Sequence, residues 1–160
     1  QGASLEPEVR VVIGRALGLL GSAYVTTSRF EWAEETLRLG IQFVMDGVAA
    51  GDLYRRLGEC YAAQDRLGEA IGPLRRALGL GIEEVEVLPL LGRAYEDRGR
   101  HVAAIACAER ALSLGVDVDA MAALRDRGAA ALGGPWSAFR ERFPGPDGEV
   151  GSDASSTEPR

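Results

Sequence analysis

Two stretches decide the fold: Tyr54-x-x-Leu57-Gly58-x-x-Tyr61 and Leu88-x-x-Leu91-Gly92-x-x-Tyr95. Their glycines stand 34 residues apart. The same offset carries Ala70 to Ala104, Ala77-Leu78 to Ala111-Leu112, Gly81 to Gly115 and Arg66 to Arg100. An earlier copy reads Leu17-x-x-Leu20-Gly21-x-x-Tyr24, then Ser28-Arg29-Phe30, then Ala33-x-x-x-Leu37. Gly21 precedes Gly58 by 37 residues, so about three residues are inserted between these copies, and Asp46 to Gly51 is the expected place. Self-similarity at such a period marks a stack of small units that share one interior.

Each copy opens with helical spacing: Leu57, Tyr61 and Gln64, then Leu91, Tyr95 and Arg98. Gly58 and Gly92 lie on those apolar stripes. Glycine costs about 1 kcal/mol inside a helix, so its recurrence predicts a close helix contact. Ala70 and Ala104 are the small partners on the second helix. Breaks at Asp65-Arg66 and Gly99-Arg100 separate the two helices of a pair, and Gly79-Leu80-Gly81 and Gly115 end the second one.

These motifs resemble the tetratricopeptide repeat family, with its large apolar residue, Leu-Gly, Tyr and then Ala on a second helix. The resemblance covers roughly residues 14–118. It implies an all-α superhelix, a solenoid of antiparallel helix pairs. Pairs are expected at about 7–25 with 30–46, 51–64 with 67–79 and 85–98 with 101–114, then a capping helix at about 118–132. Residues 1–6 read as an extension with a tag-like Gln1-Gly2, 7–143 as the repeat domain, and 144–160 as a flexible acidic tail. There are departures from the family. Ile82 and Val116 replace its proline, Ala108 replaces a bulky residue, and His101 stands where Phe30 and Leu67 stand. Pro89 is placed in the first turn of its helix.

Composition narrows the function. All 18 basic residues are Arg, and the chain has neither Lys nor Asn. A phosphate loop of the Walker type and a Schiff base both need Lys. A net charge of -6 disfavours nucleic acid. His101 is the sole histidine, and Cys60 and Cys107 are too few for a zinc site or a disulfide framework. Cys60 and His101 fall on different repeats. The pairs Glu34-Glu35 and Glu83-Glu84 point in different directions on a helix, as a solvated face does. Gly79-x-Gly81 meets Glu84 where a dinucleotide loop needs its third glycine. Gly14, Gly18 and Gly21 form a small-residue stripe, read as close packing in water. Arg15 interrupts the apolar run of the first helix, so no membrane insertion is expected. No metal, no cofactor and no catalytic set are expected, and a cytoplasmic, bacterial-type protein is.

The resemblance also implies a function: a non-catalytic adaptor or scaffold that binds an extended segment or helix of another protein in a concave groove. By register, the groove-facing residues are Arg15, Ser22, Thr26, Arg55, Glu59, Arg93, Glu96, Asp97 and Arg127. Spaced Arg donors would grip carboxylates or carbonyls. The competing reading pairs Arg55 with Glu59 and Arg93 with Asp97 on a wet surface. Trp136, Phe139 and Phe143 either seal the last repeat or anchor a partner or a second copy, so a homo-oligomer is allowed. The alternative function is a dedicated chaperone for a secreted client, and an enzyme is the remote one. Chaperone-binding members of the family use a clamp of Lys, Asn and Arg, which this composition disfavours.

Overall fold

The computed structural model describes residues 6–44 and 47–140, apart from the side chain of Phe139. Among them are eight helices and no strand: α1 (Pro7–Thr26), α2 (Phe30–Val44), α3 (Gly47–Ala63), α4 (Leu67–Gly79), α5 (Glu84–Asp97), α6 (His101–Ser113), α7 (Val118–Ala131) and α8 (Trp136–Arg140). The antiparallel pairs α1/α2, α3/α4 and α5/α6 stack in order, and α7 closes the last pair, as the sequence predicts.

The period is written into the backbone. The turns inside the pairs place Ser28, Asp65 and Gly99 at positive φ, and the turns between them place Gly47, Gly81 and Gly115 there. The second set is spaced by 34 residues, so the register is already restored at Gly47. The three extra residues therefore do not form a loop at Asp46 to Gly51, as the sequence suggests. They lie upstream, between Leu37 and Gly47, and α3 is helical from Gly47 onward. Ala50 and Gly51 are buried there. An added Cβ on Gly51 would stand 2.9 Å from Ile82 Cγ1. Tertiary contact overrides the weak helix propensity of that segment. Ile82, in the place of the family's proline, is itself part of the core.

The glycines mark where one helix presses on the next. An added Cβ on Gly21 would stand 2.6 Å from Leu37, and one on Gly58 would stand 2.7 Å from Leu74. Each of these leucines, on the second helix of a pair, fills the space over a glycine on the first. In the third pair Ala108 stands where Leu74 stands, and Gly92 is covered instead by Cys107 and by Leu124 of α7. The capping helix thus replaces the missing leucine. Gly14 and Gly18 are likewise filled by Val44 and Leu53, in close packing against α2 and α3. Pro89 lies a full turn deeper than the sequence suggests, because α5 begins at Glu84, and Pro73 sits inside α4. The carbonyl of Val85 loses its helical donor to Pro89. Val85 is exposed, so water is at hand.

The first helices of the pairs, α1, α3, α5 and α7, pack side by side, whereas among the described residues α2, α4 and α6 do not touch one another. A stack whose units are close on one side and splayed on the other must curve. The first helices take its inner side. On the outer side, Tyr61 Oη donates to Glu34 at 3.1 Å and accepts from Arg38 at 2.6 Å, tying α3 to α2.

By length and composition alone, α1 is apolar enough to cross a membrane, despite Arg15. One face of it is occupied by the packing of Gly14, Gly18 and Gly21.

Candidate functional site

The inner side collects charge at two repeat positions. Arg55 lies on α3 with only 16% of its side chain exposed. Its Nη2 donates to Asp52 at 2.6 Å and its Nη1 to Glu59. Its Nε lies 3.3 Å from Glu86 on α5, a charge contact without hydrogen-bond alignment. Asp52 also receives Arg56 Nε at 2.7 Å, and Arg56 Nη1 donates to Ser22 Oγ on α1 at 2.6 Å. Burial would raise the Asp52 carboxyl, but the hydrogen bonds from Arg56 and Arg55 prevail and hold it below the usual carboxylate range. Farther along, Arg127 of α7 grips Glu96 of α5 through two bonds, at 2.7 and 3.0 Å.

These contacts step from one inner helix to the next, from α1 through α3 and α5 to α7. They go beyond the pairing within a helix that the sequence suggests. Arg55 does bond Glu59, as expected, but Arg93 does not pair with Asp97. Among the described residues, Arg15 and Arg93 enter no ion pair and both are exposed. Asp97 is exposed as well, and the Thr26 hydroxyl is turned back onto the Ala23 carbonyl at 2.8 Å. The predicted groove set thus divides in two. Ser22, Arg55, Glu59, Glu96 and Arg127 are engaged within the chain. Arg15, Arg93 and Asp97 are open to solvent.

Asp52 and Glu86 were missed by sequence reasoning, although a signal existed. They occupy the same repeat position, 34 residues apart, three residues before Arg55 and Pro89. Arg15 holds that position in the first copy, so the column changes sign along the inner side.

At the C-terminal end, Trp136 is half-buried and Arg125 lies over its ring, 5.5 Å from the centroid. This contact joins α8 to α7. The side chain of Phe139, and Phe143 with the expected acidic tail, lie outside the described residues. Cys60 and Cys107 are free and buried. Burial pushes the Cys107 thiol up to about 11, away from the reactive thiolate.

Residues 85–114, which span α5 and α6, match the family model for the tetratricopeptide repeat. No curated protein matches the chain.

Proposed function

We propose that this chain, a curved stack of tetratricopeptide-type helix pairs, is a protein–protein interaction module whose inner side receives an extended segment or a helix of another protein. The repeat is in general a non-catalytic interaction module. The observation that carries the reading is the division of the inner cations. The guanidinium groups of Arg55 and Arg127 are held by Asp52, Glu59, Glu86 and Glu96 and fix a rigid, charged floor. Arg15 and Arg93, exposed on α1 and α5, are left to meet a partner's carboxylates or carbonyls. A partner reaching both must lie across the first helices, as an extended segment does.

The test is affinity capture from the native cell with wild type and with the double variant Arg15→Glu, Arg93→Glu. Both sites are exposed, so the fold should persist, which circular dichroism checks. One specific protein should be captured by wild type and reduced at least about tenfold by the reversal, the loss expected when a charge-assisted contact becomes repulsive. A partner held equally well by the variant places binding elsewhere. If that partner is insoluble alone and soluble only when made beside this chain, the module is a dedicated chaperone; a partner soluble by itself makes it an adaptor.

A further inference from the structure

The outer face of α1, turned away from α3, carries no charge. At 100° per residue, Val9, Val12, Ile13, Ala16, Leu19, Leu20 and Ala23 fall within an arc of about 120°. Glu8, Arg15 and Thr26 stand beside this arc, toward the inner side of the stack. Val12 is 65% exposed, Leu19 64% and Trp32 61%, with Val9 and Leu20 also open. Trp32 stacks on Tyr24 at 6.0 Å and widens the patch. Together these side chains expose on the order of 500 Å² of apolar surface, as much as the largest patch of an ordinary monomer. With its polar rim the face approaches the roughly 800 Å² per partner of a stable pair. The two ends of the stack differ. The C-terminal end is closed by α7 and α8, while among the described residues α1 packs only on α2 and α3. Repeat arrays need a polar outer face at each end, and this end lacks one.

We propose that this face is a self-association surface on which two copies of the chain pack α1 against α1, antiparallel, about a twofold axis at Ala16. Three features favour a second copy. The stripe offers no charge for a charged partner to recognise, in a chain with a net charge of -6. Its seven residues are symmetric about Ala16, so an isologous contact leaves none unmatched. Antiparallel pairing sets Val9 against the partner's Ala23, Val12 against the partner's Leu20 and Ile13 against the partner's Leu19, with small Ala16 at the crossing. Parallel pairing would set Leu19 on Leu19 and leave a gap at Ala23; it also aligns the two helix dipoles unfavourably. The inner sides of both stacks stay open, so the pair presents two grooves.

The test uses the full chain. Light scattering should give the mass of two chains at concentrations up to about 100 µM, an ordinary range for weak pairs. The exposed-site variant Val12→Glu, Leu19→Glu should run as one chain with an unchanged circular dichroism spectrum. Ala16→Cys should form a disulfide-linked pair under mild oxidation, because the native thiols are buried. A mixture of Val9→Cys and Ala23→Cys chains should cross-link to each other more readily than Val9→Cys does to itself. A single-chain mass for wild type across this range overturns the proposal, as does a pair that survives the double variant. Self-linking of Val9→Cys in preference to the mixture overturns the antiparallel arrangement. A wild type that stays single and adsorbs to phosphatidylcholine vesicles assigns the face to a membrane instead.

Discussion

Leu74→Ala is expected to destabilise the chain by about 2–5 kcal/mol, the range for a buried leucine truncated in a core that collapses only partly. Leu74 is 1% exposed and fills the space over Gly58. No neighbouring side chain can close the void, because the facing residue has none. Thermal unfolding followed by circular dichroism should show a midpoint lowered by about 5–15 °C, given a shift of about 2–4 °C per kcal/mol at this chain length. An unchanged midpoint would mean that α4 does not press on α3 as described. Ala108 occupies the equivalent position in the third pair without a void, because Leu124 and Cys107 reach Gly92. The second pair has no such substitute.

Gly58→Leu attacks the same contact from the opposite side. Even the first carbon of the new side chain would stand 2.7 Å from Leu74, and the rest must displace α4. Overpacking of this kind costs about 1–3 kcal/mol or more. The control is Gly72→Ala, a glycine inside α4 at which an added Cβ meets nothing within 4 Å. There the gain in helix propensity acts alone and stabilises by about 0.5–1 kcal/mol. Chemical denaturation of both variants reads the two signs directly. Two destabilised variants, or two stabilised ones, would contradict the assignment of Gly58 to a helix contact.

The contrast between these glycines shows how much was legible in the sequence. Gly21, Gly58 and Gly92 announce themselves by recurring in register, and repetition is what turns a weak local signal into a fold. Helix ends follow within a few residues for the same reason. The start of α3 was not legible, because Gly47 to Gly51 has the composition of a loop and becomes helical only by burial against Ile82. The replacement of Leu74 by Leu124 in the third pair was also hidden, since it depends on a helix outside the repeat. On the inner side, register placed the charged positions but could not assign their partners. Pairing across helices depends on side-chain reach, so Glu86 claimed a share of Arg55 while Arg93 was left open. The apolar face of α1 was obscured by Arg15, which breaks the run in sequence but stands off the stripe in space.

The claim on which the rest depends is that α1, α3, α5 and α7 form the side of the stack that meets another protein. The most direct measurement is backbone amide chemical-shift mapping by NMR, with the captured partner's binding segment titrated into the full chain. Shifts should gather on the four inner helices, strongest around Arg15 and Arg93, with α4 and the outer face of α6 unmoved. Shifts confined to α2, α4 and α6, with the inner helices silent, would contradict it.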